Sequence, residues 1–163
     1  MRILLTGGAG FIGSHTAVEM VQSGHEVVIY DNFYNSDASV LDRLEKILGK
    51  RVPFEEGDVR DYERMLEVLK HYKIEAVVHF AGLKAVGESV EKPLEYYDNN
   101  ICGTIALLRA MKEAGVKRII FSSSATVYGT PQYLPLDENH PLSVTNPYGR
   151  TKLQIEEILE DLC

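Results

Sequence analysis

Tryptophan is absent from this 163-residue chain, and cysteine occurs only twice. Cys102 and Cys163 lie far apart and form neither a metal-ligand spacing nor a redox pair, which excludes a zinc module, a thiol oxidoreductase and a disulfide scaffold. Basic clusters are missing too. Seventeen Lys and Arg face 24 Asp and Glu, a formal charge of −7, which argues against a nucleic-acid surface. No apolar run approaches the ~20 residues that span a membrane, and no signal peptide follows Met1. The expectation is a cytoplasmic protein with no membrane and no nucleic-acid partner. Repeats, low-complexity tracts and interdomain linkers are also lacking. What remains is an ordinary globular composition, 45% hydrophobic and 25% charged, over a length that buries roughly 70% of its unfolded surface. Residues 1–163 are expected to form one domain.

The order is strand then helix, repeated. RILLT (2–6) is a short apolar run, followed by a glycine turn and a helical stretch through Ser23. EVVIYD (26–31) is a second strand, and 36–48 a second helix ending at Gly49. RVPFEEGD (51–58) is a third strand, with Pro53 tolerated best at a sheet edge. Tyr62, Met65, Leu66, Leu69 and Tyr72 mark a third helix by their spacing, and EAVVHFAG (75–82) a fourth strand. Tyr97, Ile101, Thr104, Ile105, Leu108 and Met111 trace a fourth helix that stops at Gly115; KRIIFSSS (117–124) is the fifth strand. Apolar strands each followed by a helix predict an α/β fold: a Rossmann-type doubly wound parallel sheet with helices on both faces. One connection, 128–146, carries Pro131, Pro135 and Pro141 and is longer than a compact α/β loop needs; such loops are functional or disordered.

TGGAGFIGS (6–14) contains Gly8-x-Gly10-x-x-Gly13 and, equally, Gly7-x-x-Gly10-x-x-Gly13. Glycines there allow a tight turn and close approach of backbone to a pyrophosphate, which the dipole and N–H groups of the following helix favour. The pattern alone is weak, but its place between first strand and first helix strengthens it. Asp31 ends the second strand, where a carboxylate accepts from an adenosine ribose and repels a 2′-phosphate. No arginine follows nearby, so NAD is favoured over NADP. Asp58 stands where it can accept from an adenine amino group, and Lys84 where it can meet a phosphate or ribose. For these two a solvated loop charge competes evenly with a ligand contact.

The last helix opens with NPYGRTK (146–152). At ~100° per residue, Tyr148, Lys152, Ile155, Leu159 and Leu162 share one stripe, while Arg150, Gln154, Glu157 and Asp161 take the other side. A lysine therefore lies on the apolar face beside a tyrosine. Snorkelling from a helix start would explain a bare Y-x-x-x-K. With the glycine turn, Asp31 and the serines of 122–124 expected at one sheet edge, catalysis explains it better. A phenol with an ordinary pKa near 10 is a poor base at pH 7, and a nearby ammonium favours the phenolate. Ser124 then hydrogen-bonds a substrate hydroxyl and relays its proton.

These residues resemble the extended short-chain dehydrogenases/reductases. Within that branch HFAGLKAVGESVEKPLEYYDNN (79–100) and FSSSATVYG (121–129) are similar to the UDP-glucose 4-epimerase family, through essentially the whole chain. The resemblance implies Tyr148 as base, Lys152 as its activator and ribose anchor, and Ser124 as hydroxyl partner. It implies Gly7, Gly10, Phe11, Ile12 and Gly13 along the pyrophosphate, and Asp31, Asn32, Asn35 and Ser36 around the adenosine. Asp58 and Val59 meet adenine, and Phe80, Ala81, Gly82, Lys84 and Asn99, with Tyr148 and Lys152, complete an NAD site; no metal is implied. The reaction implied interconverts UDP-galactose and UDP-glucose through a 4-keto sugar, in a homodimer. Related 4,6-dehydratases carry Thr-Asp-Glu where this chain has Ser124-Ala125-Thr126, and UDP-glucuronate decarboxylases keep a glutamate at the position of Thr126. The family also continues past the tyrosine–lysine helix into a domain that grips the uridine diphosphate. This chain is thus expected to be the N-terminal cofactor portion, with NAD binding but negligible turnover alone. The competing reading is a binding-only nucleotide module.

Overall fold

The computed structural model describes residues 1–162; Cys163, noted above, lies outside them. The chain divides into two compact units, Met1–Ala81 with Ile105–Ser122, and Gly82–Thr104 with the chain from Ser123 onward.

The first unit holds a sheet of five parallel strands: β1 (Arg2–Thr6), β2 (Glu26–Asp31), β3 (Phe54–Glu56), β4 (Ala76–His79) and β5 (Ile119–Phe121). Their order is β3-β2-β1-β4-β5. Alternation of side chains along each strand sorts the core in two. Leu4, Val28, Tyr30 and Val77 pack with Met65 and Leu69 of α3 (Tyr62–His71) and with Leu107 and Met111 of α6 (Gly103–Ala114). Ile3, Leu5, Val27, Ile29 and Val78 pack with Ala17 of α1 (Phe11–Gln22) and Leu44 of α2 (Ser39–Leu48). Both faces are covered, as a doubly wound sheet requires. Connections leave β1 toward one edge and β4 toward the other, so the strand order reverses between them, with Thr6 beside His79. Crevices beyond the C-terminal ends at such a reversal are where open α/β sheets bind ligands.

Three strands are shorter than their apolar runs. β3 keeps only 54–56 of the expected 51–58. It is an edge strand, as Pro53 required, and Ile29 N–H donates to the Pro53 carbonyl at 2.9 Å. β4 keeps 76–79 of 75–82, because the chain turns away at 80. β5, the other edge, keeps 119–121 of 117–124, and Ile120 is 63% exposed. The second helix begins at Ser39 rather than 36, since Ser36 Oγ is drawn to Asp31 and Asp37 accepts from Ser39 N–H.

The second unit is helical. Two short helices, α4 (Val86–Glu91) and α5 (Pro93–Tyr96), were not expected; at six and four residues they are too short to display a 3.6-residue period. Tyr96 closes them, its buried hydroxyl accepting from Ala85 N–H at 3.0 Å and lying 2.8 Å from a Glu88 oxygen. A π-turn, Tyr97–Cys102, then leads into α6. Each π-turn adds a residue to the helical count, which shifts the phase of everything beyond it. The expected stripe holds at Thr104 and Met111, which are buried, and fails at Ile105, 40% exposed, while Asn100 and Leu107, off that stripe, are buried. A 3₁₀ turn, Ala125–Tyr128, follows Ser124, and α7 (Pro147–Asp161) is the last element. Asn146 caps α7 by accepting from Gly149 N–H at 2.8 Å, and Pro147 fills its first position. The proline-rich connection packs around His140, 3% exposed, whose Nε2 accepts from Gln132 N–H at 2.9 Å between the rings of Tyr128 and Tyr133.

Candidate functional site

In the first unit the turn after β1 is shaped by three glycines with different duties. Gly7 has φ +69°, and a Cβ on it would lie 2.6 Å from Ala81 N and 2.8 Å from Ala81 Cα. A Cβ on Gly13 would lie 2.5 Å from the Gly7 carbonyl oxygen. Both contacts are to backbone, so these residues must be glycine for the turn to close. Gly10 differs: a Cβ there meets one atom only, the Gly7 oxygen at 3.2 Å. Its open side leaves room for a ligand. No side chain caps α1 at Gly10, and Phe11 and Ile12 are 74% and 56% exposed. The first N–H groups of a helix lack intrahelical partners, and with the dipole they favour an anion.

Asp31, 8% exposed, braces this turn. One oxygen accepts from Ala9 N–H at 3.0 Å; the other accepts from Phe33 N–H at 2.9 Å and Ser36 Oγ at 3.1 Å. A carboxylate has about four acceptor positions, so one remains for a ribose hydroxyl. Sequence reasoning assigned Asp31 and Ser36 to the ligand and missed that they hold the turn together. Asp58 takes Arg60 through its backbone N–H, Nε (2.9 Å each) and Nη2 (2.7 Å), and Asn32 Nδ2 at 3.4 Å. The Arg60 bonds hold its carboxyl below the usual range. Val59 is 6% exposed within the core, so its side chain is unavailable to a ligand, and Asn35 is exposed. Phe80 and Ala81 follow β4 directly, Phe80 N–H donating to the Thr6 carbonyl at 2.9 Å.

In the second unit α7 presents Tyr148 and Lys152, 9% and 5% exposed, and Ile155, 1% exposed; Leu162, placed on the same stripe by sequence, is 66% exposed past the helix end. Lys152 Nζ lies 5.9 Å from the Tyr148 ring centroid, and a Cβ on Gly82 would lie 3.8 Å from that nitrogen. Burial pulls the Lys152 pKa from 10.5 down to about 8, and the Glu156 carboxylate, one turn on, pulls it back up. The ammonium therefore still predominates at pH 7. Ser124 caps the 3₁₀ turn: its Oγ accepts from Thr126 N–H at 3.2 Å and from Thr126 Oγ1 at 3.0 Å. A hydroxyl has one proton and two acceptor positions, so Ser124 is left as a donor, and relaying a proton through it requires a Thr126 bond to be given up. α7 packs on the same turn, a Cβ on Gly149 lying 3.0 Å from the Thr126 carbonyl oxygen.

Two residues of this unit escaped sequence reasoning. Asn100, 2% exposed in the π-turn, accepts from Leu83 N–H (2.8 Å) and from Asn99 Nδ2 (3.0 Å). It donates to the Leu83 carbonyl and to Thr151 Oγ1, both at 3.0 Å. It fastens the segment after Gly82 to α7, while its neighbour Asn99 was the residue named. Lys84 is exposed. The second is Glu156, which accepts from Ser123 Oγ and so ties the residue before Ser124 to the helix of Lys152. Only its four-residue spacing from Lys152 signalled it. Glu156→Gln is expected to lower the Lys152 pKa further, read from the lysine Cε resonance during an alkaline titration; an unchanged midpoint would refute the coupling.

Among the described residues no cluster of His, Cys, Asp and Glu is arranged to hold a metal, and no helix is long and apolar enough to cross a membrane. The family model described as GDP-mannose 4,6 dehydratase matches residues 4–162. UDP-glucose 4-epimerase of Bacillus subtilis (strain 168) is 57% identical over 162 residues, covering 99% of this chain and 48% of that protein. The human UDP-glucose 4-epimerase is 54% identical over 169 residues, covering 99% and 49%. The chain spans about half the length of the curated relatives it matches. Among solved structures, UDP-glucose 4-epimerase of Bifidobacterium longum in complex with NAD+ and UDP superposes with a TM-score of 0.97 at 54% identity, covering 99% of this chain and 49% of that one. The Stenotrophomonas maltophila enzyme with bound NAD and formylated UDP-arabinopyranose also gives 0.97, at 52% identity, covering 99% and 48%.

Proposed function

Because the chain belongs to the GDP-mannose 4,6-dehydratase family, we propose that it is the NAD-binding part of a UDP-hexose 4-epimerase, interconverting UDP-galactose and UDP-glucose through a transient 4-keto sugar. The observation that carries this reading is Lys152. Its ammonium lies at 5% exposure on the same face of α7 as Tyr148 and one turn from it, the placement that a base and its activator require. The glycine turn fits a dinucleotide on its own grounds: an uncapped helix start, two glycines closed against backbone, and one open side at Gly10.

Bound NAD supplies the oxidation and its reversal at the sugar's C4. The chain's residues supply the rest. Tyr148 accepts the proton of the 4-hydroxyl, and the Lys152 ammonium favours the phenolate that does so and holds a cofactor ribose. Ser124, with both acceptor positions filled by Thr126, donates to the sugar's 4-oxygen and orients it. Gly7, Gly10, Phe11, Ile12 and Gly13 take the pyrophosphate, Asp31 with Asn32, Asn35 and Ser36 the adenosine, and Asp58 with the Val59 backbone the adenine. Phe80, Ala81, Gly82, Lys84 and Asn99 border the nicotinamide half. The family description names a dehydratase, but elimination needs a carboxyl group to take a proton at C5. Ala125 has none, and Thr126 spends its hydroxyl on Ser124. A homodimer and a cytoplasmic location complete the proposal; only monomer in light scattering at high concentration would count against the first.

The test uses the chain completed to the length of its relatives and assayed with UDP-galactose. Tyr148→Phe is expected to lower turnover by about 10²–10⁴-fold, the span typical of general acid–base groups, while NAD stays bound. Turnover within a few-fold of the parent would remove Tyr148 from the chemistry. The 163-residue chain alone is expected to bind NAD with negligible turnover, since binding energy from the rest of a substrate aligns the reacting atoms.

A further inference from the structure

At the other edge of the first unit's sheet, where β1 and β2 begin, lies a cavity of about 180 Å³ walled by Val21, Val27, Val52 and Pro53. Its polar lining is lopsided. Arg2, Lys50 and Arg51 bring three cations and Glu26 one carboxylate, in a chain whose formal charge is −7. Glu26 is already paired with Arg2, 3.7 Å from its Nε, and Arg2 also donates to the Tyr72 carbonyl at 3.2 Å. Lys50 and Arg51 make no ion pair with any described residue. His25 lines the same cavity, and its Nδ1 is the one buried side-chain nitrogen or oxygen among the described residues without a hydrogen-bond partner. Native proteins leave few such atoms unmatched, because each costs about 1–3 kcal/mol.

We infer that this cavity is a binding site for a small organic carboxylate with an apolar body of about benzene's size. An apolar cavity of roughly 150 Å³ suffices for benzene, so the volume fits an aryl or branched aliphatic group against the valines and proline. The carboxylate then meets the exposed cations of Lys50 and Arg51, with the imidazole of His25 in the wall beside it. A bare inorganic anion would gain nothing from the apolar wall and is the weaker occupant. The site is separate from the glycine turn, since β1 runs ~13 Å from Arg2 to Thr6 between them, and it does not depend on the function proposed above.

The test is a titration of the chain with benzoate, followed through the His25 ring resonances, with benzyl alcohol and inorganic phosphate as comparison probes. Saturable binding by benzoate is expected at about 1 mM or tighter, with benzyl alcohol and phosphate each at least about tenfold weaker. The exposed double variant Lys50→Glu/Arg51→Glu should weaken benzoate by a further factor of about ten or more, with unchanged thermal unfolding. No saturable shift with benzoate, equal binding by phosphate, or equal affinity in the charge-reversed variant would each overturn the assignment.

Discussion

Replacing Gly7 with alanine lowers the melting temperature of the chain by roughly 10 °C, whereas Gly10→Ala changes stability by about 1 kcal/mol or less and weakens NAD about 10–100-fold. The two glycines belong to one motif, and the difference lies in what surrounds them. At Gly7 the backbone is left-handed, φ +69°, which costs a residue with a Cβ roughly 1–2 kcal/mol. The new methyl also sits 2.6 Å from Ala81 N, a main-chain atom that cannot step aside without moving the end of β4. Overpacking of that kind adds about 1–3 kcal/mol. The sum, about 2–5 kcal/mol, corresponds to a fall of roughly 10 °C for a domain of this size. At Gly10 the backbone is ordinary, φ −70°, and the methyl meets only the Gly7 oxygen at 3.2 Å. It costs little in the free protein and occupies the side left open for a pyrophosphate. Paired thermal melts and NAD titrations separate the two; equal behaviour of both variants would mean the turn has no open side.

Lys152→Met should make the free chain more stable at pH 7, by up to about 3 kcal/mol, and weaken NAD at least about tenfold. The sign follows from linkage. Lys152 titrates at about 8 in the folded chain, below its ordinary 10.5, because burial disfavours the charge. Between those values the unfolded chain binds more protons than the folded one, so this group's penalty is full below pH 8 and fades as pH rises toward 10.5. A difference of 2.5 pH units at 1.36 kcal/mol each gives the figure of about 3 kcal/mol. Methionine fills similar space without the charge. Denaturant melts of parent and variant should therefore differ most at pH 7 and converge near pH 10. A variant less stable than the parent at pH 7 would show that the ammonium is well compensated in the free chain.

The inward lysine is the clearest case of a placement legible in sequence. Helical spacing alone put Lys152 and Tyr148 on the buried stripe, and both are buried. The glycine turn and the alternation of strand and helix were readable for the same reason, since local periodicity and the demands of a tight turn act over a few residues. Asp31 was only half readable: its place at a strand end was evident, but its bonds to Ala9, Phe33 and Ser36 depend on tertiary approach. Asn100 was missed because the π-turn around it breaks the period on which the reading of that helix rested. The burial of Ile105 was wrong for the same cause, and α4 and α5 are too short to carry any period.

The central claim is that this chain holds NAD through its glycine turn and Asp31. Calorimetric titration of the 163-residue chain with NAD and with NADP tests it most directly. The account predicts saturable binding of one NAD per chain and at least about tenfold weaker binding of NADP, whose 2′-phosphate meets the buried Asp31 carboxylate. A folded chain that takes up neither nucleotide, or that prefers NADP, would contradict it.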